Sequence, residues 1–112
     1  NLWMHSPADV TSSFAAFTDR HGDRFLLGIG VSHAPLIDAG QPGRYRKPLA
    51  ATASFLDGLD AGEQPVPIDR RVLAALGPKM LQLSATRAAG AHPYLVTPDH
   101  TASARATLGD EA

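Results

Sequence analysis

The stretch RRVLAALGPKMLQLSATRAAGAHPYLVT, residues 70–97, decides the fold class. Its first part, 70–76, is an apolar run of strand length, and the apolar spacing in 78–89 is typical of a helix. Gly90 stands where a helix C-cap glycine belongs. Residues 91–97 form a weaker strand candidate, because the proline at position 93 cannot donate to a ladder. A strand, a helix and a second strand in this order predict a right-handed βαβ unit with parallel strands.

Helix starts elsewhere in the chain follow a common pattern. A residue suited to the N-cap precedes a proline suited to the first helical position. Val10, Phe14 and Phe17 then share one face of the first predicted helix, and Leu81, Ala85 and Ala88 share one face of a later one. The last predicted helix runs from about Pro98 to Leu108 and is closed by Gly109. The three dipeptides are Ser6-Pro7, Gly77-Pro78 and Thr97-Pro98.

A second buried strand is predicted upstream. The run RFLLGIGV, residues 24–31, is almost continuously apolar, as in a strand that is buried on both faces of a parallel sheet. A loop rich in glycine and proline leads from it to a helix that begins near Tyr45. The alternation predicts the α/β class. Functional residues of such folds lie at the carboxyl ends of the strands, here after Trp3, Val31, Leu76 and Thr97.

The composition limits the kinds of molecule that the protein is expected to bind. The chain has 112 residues, 44% of them hydrophobic, which suffices for the core of one domain. The net charge is −1 and the sequence has no long run of like charges, so nothing favours binding to nucleic acid or to anionic lipid. It has no cysteine, and no apolar stretch reaches the roughly 20 residues of a membrane span. We expect a cytoplasmic protein that binds a small organic molecule.

The turn Gly77-Pro78-Lys79-Met80 is the first candidate for chemistry. It lies at a predicted helix N-terminus, where free amides and the helix dipole favour an anion. Gly77 permits close approach, Lys79 adds a full charge, and the amides of Gly77, Lys79 and Met80 supply donors. The alternative is an ordinary helix start with a solvated lysine. Spacing alone leaves both interpretations open.

Histidines form the second group of candidates. His5, His33 and His100 each follow a predicted strand end within a few residues, where a histidine can exchange a proton or bind a metal. The alternative for each is a surface histidine in a loop. We expect His21 to be structural and His92 to be packed or hydrogen-bonded in the wall of the fold.

The sequence resembles the luciferase-like monooxygenase superfamily, and within it the oxidoreductases that use the deazaflavin coenzyme F420. The resemblance spans nearly the whole chain. It is carried by DRFLLGIGVSHAPL, by YRKPLAATASFLDGLDA and by RRVLAALGPKMLQLSATRAAGAHPYLVTPDHTA. It implies a (β/α)8 TIM barrel, of which residues 1–112 would supply the part from the end of the third strand, NLW, through the helix after the sixth.

The resemblance also implies site residues. Gly77, Pro78 and Lys79 match the place where the family holds the cofactor phosphate, beside Met80. Asn1 matches a strand-end residue beside the cofactor tail.

A second segment, Val31, Ser32 and His33, matches the loop that lines the cofactor. His33 stands where some relatives carry an acid, so the resemblance assigns it a catalytic, proton-donating role. The cofactor is F420, or FMN in the flavin-dependent variant.

Three further readings stay open. A metal-dependent barrel hydrolase would use His5, His33, Asp99 and His100, although their spacing lacks the tight pattern of a metal site. A catalytically inactive, truncated barrel is another reading. Since the resemblance covers only part of a barrel, we also expect a piece of a longer enzyme or a chain that forms a homo-oligomer.

Overall fold

The computed structural model describes residues 1–22, 24–32, 37, 39–40, 43, 46–62, 65–75, 77–93 and 97–109. Two compact units divide the chain, Asn1–Phe25 with Gly30–Val66, and Leu26–Ile29 with Pro67–Ala112. We call them the first and the second unit. Their elements in chain order are α1 Pro7–His21, β1 Leu27–Ile29, α2 Pro48–Asp60, a 3-10 helix Ile68–Arg70, β2 Arg71–Ala74, α3 Pro78–Arg87, β3 Gly90–His92 and α4 Pro98–Leu108.

The second unit contains a parallel sheet of three strands in the order β1-β2-β3. In the register, Leu27 pairs with Arg71 and Leu73 pairs with Ala91. Helix α3 connects β2 to β3, so the predicted βαβ unit is present. The observed arrangement is α/β with a parallel sheet, whereas closure into an eight-stranded barrel stays a prediction.

Strand β1 is shorter than its apolar run. The sequence predicts a strand over residues 24–31 that is buried on both faces, but only Leu27–Ile29 pair with β2. Phe25 is 38% exposed and Leu26 is 61% exposed. The prediction of length and two-sided burial was wrong because an apolar run reports hydrophobicity, while strand bounds depend on where the partner strand provides hydrogen bonds.

The core of the second unit lies between α3, α4 and the sheet. Ala75, Leu81 and Ala104 form a buried cluster, and partly buried apolar side chains of Met80, Ala91 and Leu108 pack against it. The helices α3 and α4 contact each other. This packing holds α3 beside the sheet strand that precedes it.

Two details of α3 differ from the sequence prediction. Ser84 is fully buried, whereas Ala85 is exposed. The helix tolerates a buried serine because its hydroxyl donates to the Met80 carbonyl at 2.9 Å. Gly90 is not a helix cap but the first residue of β3. The helix ends earlier, at Arg87.

In the first unit, α1 packs against α2. Helix α2 begins at Pro48 rather than near Tyr45, which lies outside the described residues. Its buried side chains are Thr52, Phe55, Leu56 and Leu59. Helix α1 has no fully buried residue, and Phe17 is half exposed against the ring of Phe25, with centroids 5.1 Å apart.

Within the part of the chain that is described, none of the helices has both the length and the apolar character needed to cross a lipid bilayer.

Replacing Gly58 by alanine should destabilise the protein by about 1–3 kcal/mol, the usual cost of overpacking. Alanine in a helix interior normally gains about 0.5–1 kcal/mol over glycine. Here the new Cβ would lie 2.6 Å from Cγ of the rigid Pro7 ring, so the clash outweighs the propensity. Urea unfolding measures the change. The control is Ser54→Ala on the exposed side of α2, for which we expect little change. A more stable Gly58→Ala variant would contradict the close packing of α1 on α2.

Candidate functional site

The start of α3 is an open helix N-terminus. Its N-cap is Gly77, which offers no side chain to the first amides, and Pro78 occupies the first position. The first intrahelical bond runs from the Leu81 amide to the Gly77 carbonyl at 3.0 Å. The amides of Lys79 and Met80 therefore precede the hydrogen-bonded ladder, as the first amides of every helix do.

The surroundings of this turn leave room for a ligand. Gly77, Pro78 and Lys79 are all exposed. Apart from Gly77 and its two chain neighbours, no atom lies within 4 Å of the position that a Cβ on Gly77 would take, and its φ of −79° suits any residue. The backbone conformation therefore does not require glycine, and what Gly77 contributes is the absence of a side chain at the N-cap.

Two other helix starts in the described chain are closed by their own side chains. The Ser6 hydroxyl accepts from the Asp9 amide at 3.1 Å, and the Thr97 hydroxyl accepts from the His100 amide at 3.2 Å. Each first turn also contains a carboxylate, Asp9 in α1 and Asp99 in α4. The hydroxyl caps occupy first-turn amides, and the carboxylates offset the positive end of the helix dipole. Both features therefore disfavour the binding of an anion.

Like α3, helix α2 has no side-chain cap and no acidic residue in its first turn. Its N-cap, however, is Lys47, which lies in the left-handed region at φ 46°. Only α3, among the described helices, combines an uncapped start with a lysine inside the first turn. The arrangement suits a phosphate, which amides and one ammonium group can hold together.

The segment after β1 is held by the first residues of the chain. The Leu2 amide donates to the Gly30 carbonyl at 2.9 Å, and the Trp3 indole donates to the Val31 carbonyl at 2.6 Å. Ser32 follows with φ 58°, in the left-handed region. Residues 2–3 form a turn rather than the predicted strand end, so that expectation was wrong. One backbone bond replaces a ladder there.

Asn1 has local roles in the structure. Its side-chain oxygen accepts from the Trp3 amide at 3.2 Å, and its Nδ2 lies 3.5 Å from Sδ of Met4. These contacts shape the turn that carries Trp3. A contact between Asn1 and a cofactor tail stays a prediction.

The histidines are scattered. His33, the predicted catalytic residue, lies outside the described residues, and His5 is exposed. His21 is structural in its contacts, with its ring 5.6 Å from that of Phe25. His92, the last residue of β3, is exposed, which corrects the expectation that it packs in the wall.

His100 lies half buried in the first turn of α4. Across the described ranges, no three His, Asp or Glu side chains lie close enough together to hold a metal ion. The hypothesis of a metal-dependent hydrolase therefore gains no support from His5, Asp99 and His100.

The predicted site residues fall into two groups. Asn1, Val31 and Ser32 belong to the first unit, where hydrogen bonds through Trp3 connect Asn1 to Val31. Residues 77–80 belong to the second unit and form one continuous turn.

Sequence reasoning missed two residues. It placed Trp3 only at the end of a predicted strand, and it gave no role to Arg71, which is 1% exposed. The lone tryptophan beside a predicted strand end was a weak signal for the first. An arginine at the edge of an apolar run gave no signal of burial for the second.

Comparison with protein-family models, with curated proteins and with solved structures finds no match for this chain.

Proposed function

We propose that this chain is part of a luciferase-like oxidoreductase that binds coenzyme F420, or FMN in the flavin-dependent variant, and acts on a small organic substrate. The observation that carries the proposal is the open start of α3, with Lys79 exposed in its first turn and no carboxylate there. The sequence resemblance assigns the cofactor phosphate to this same turn. Neither argument depends on the other.

The residues of the turn fit a phosphate group. The amides of Lys79 and Met80 lack intrahelical acceptors, and Gly77 places no side chain in front of them. The ammonium group of Lys79 adds a charge-assisted contact, and the positive end of the α3 dipole adds to it.

When bound, the deazaflavin supplies hydride transfer to or from the substrate, and the flavin alternative supplies oxygen chemistry. The chain contributes binding and orientation. The resemblance assigns the phosphate to Lys79 and the α3 amides, and it separately assigns Val31 and Ser32 to the lining of the ring. His33 is the proposed proton donor.

Replacing Lys79 by glutamine should weaken binding of F420 or FMN about tenfold, because a charge-assisted contact to phosphate is lost. Fluorescence titration of the cofactor gives the dissociation constant. The matched control is Lys47→Gln, since Lys47 is the other lysine of the chain and is also exposed at a helix start. This control should bind as the unchanged protein does.

The same titration with ring compounds that lack the phosphate separates the two ends of the cofactor. Riboflavin, compared with FMN, should bind the unchanged protein and Lys79→Gln with equal affinity. If Lys79→Gln weakens riboflavin and FMN alike, or neither, Lys79 does not hold the phosphate.

A further inference from the structure

Two consecutive hydrogen bonds hold the backbone after β1. The Leu2 amide donates to the Gly30 carbonyl at 2.9 Å, and the Trp3 indole donates to the next carbonyl, Val31, at 2.6 Å. The second bond joins residues that are 28 positions apart in the sequence. Neighbouring residues of the N-terminal turn thus fix neighbouring peptide groups of a distant segment, and we call this pair of bonds the double anchor.

Directly after the anchored peptides, the backbone adopts an unfavourable conformation. Ser32 has φ 58°, which L-residues other than asparagine and aspartate rarely adopt. Such a conformation persists where the surrounding structure determines it, and it often occurs where a backbone must face a ligand. The Trp3 bond acts on the carbonyl of the peptide whose nitrogen belongs to Ser32, so it sets the orientation of that peptide plane.

We propose that Trp3 is a positioning residue, whose indole N–H holds the Val31–Ser32 peptide in the orientation that receives the cofactor ring. Trp3 acts through Val31 and need not touch the ligand. The ligand part of this inference rests on the proposed function, while the structural part concerns the protein alone. The same bond gives the half-buried indole the hydrogen-bond partner that buried indoles usually have.

The structural part is tested on the free protein by NMR. The chain has one tryptophan, so its indole N–H gives a single, unambiguous signal. We expect this proton to exchange with solvent at least about threefold more slowly than in free tryptophan, given the usual strength of a hydrogen bond. Trp3→Phe should shift the Val31 carbonyl and Ser32 amide signals. An unprotected indole proton, or unchanged Val31 and Ser32 signals, would overturn the double anchor.

A second variant removes only the donor. A benzothiophene analogue of tryptophan at position 3 keeps the ring shape and lacks the N–H group. It should shift the Val31 carbonyl and Ser32 amide signals in a folded protein, because it removes the hydrogen bond while the bicyclic ring is kept. If the analogue leaves the Val31 and Ser32 signals unchanged, ring packing rather than the hydrogen bond positions the peptide, and the inference fails.

The ligand part is tested by titrating F420 and FMN into the same variants. Both should bind about threefold to tenfold more weakly, because the binding-competent peptide orientation is populated less. Equal affinity in the unchanged protein and the analogue would overturn the positioning role. Absence of binding to the unchanged protein would instead overturn the proposed function, and the NMR result would still decide whether Trp3 orients Ser32.

Discussion

Replacing Leu56 by alanine should lower the free energy of unfolding by about 2–5 kcal/mol, the range of large-to-small changes in packed cores. Leu56 lies in the middle of α2 and is 0% exposed, and its helical neighbours Phe55 and Leu59 are buried as well. The substitution removes buried methyl groups and leaves a void that neighbouring side chains fill only in part. Helix propensity does not offset the loss, since alanine exceeds leucine only slightly as a helix former.

Urea unfolding followed by circular dichroism measures this change, with the slope showing whether the unfolded state is unaffected. Leu26→Ala is the matched control, because the side chain is 61% exposed. It should change the stability by less than about 1 kcal/mol. If Leu26→Ala costs as much as Leu56→Ala, burial does not explain the loss and the packing of α2 is not as described.

The helix starts were predictable because their chemistry is local. A cap residue followed by proline was expected at the starts of α1 and α4, and both Ser6 and Thr97 cap their helices through their hydroxyl groups. The last helix runs over Pro98–Leu108 with Gly109 at φ 87°, as predicted. Each of these features depends on residues no more than four apart.

Strand bounds were less predictable because they depend on a partner. The run 24–31 contains enough apolar residues for a longer strand, yet β1 pairs only where β2 presents Arg71, Val72 and Leu73. Gly90 shows the same limit. A glycine after a helix can cap it, but here the pairing of Gly90 with Val72 makes it part of β3 instead.

The candidate site divides in the same way. The turn at 77–80 could be found from the sequence because all of its donors are contiguous. The bond from Trp3 to Val31 could not, since nothing local connects residues 28 positions apart. Long-range contacts of single polar atoms are fixed by tertiary structure and leave little trace in composition or spacing.

Arg71 is the clearest example of a residue whose environment is set by tertiary structure and not by local sequence. It opens β2 and is 1% exposed, although an arginine at the edge of an apolar run is expected to reach solvent. Its carbonyl also accepts from the Ala89 amide at 2.8 Å. Arg71→Ala should therefore cost about 2–5 kcal/mol of stability, the range of large-to-small changes at buried positions. The backbone bond to Ala89 is retained, so the loss reports the side chain.

Two variants separate the causes. Arg70→Ala removes the same charge from a half-buried neighbour and should cost less than about 1 kcal/mol. Arg71→Met keeps most of the buried volume, so its cost measures the part that is due to the guanidinium group, and Arg71→Ala adds the part that is due to the void. Equal losses from Arg70→Ala and Arg71→Ala would contradict the burial of Arg71.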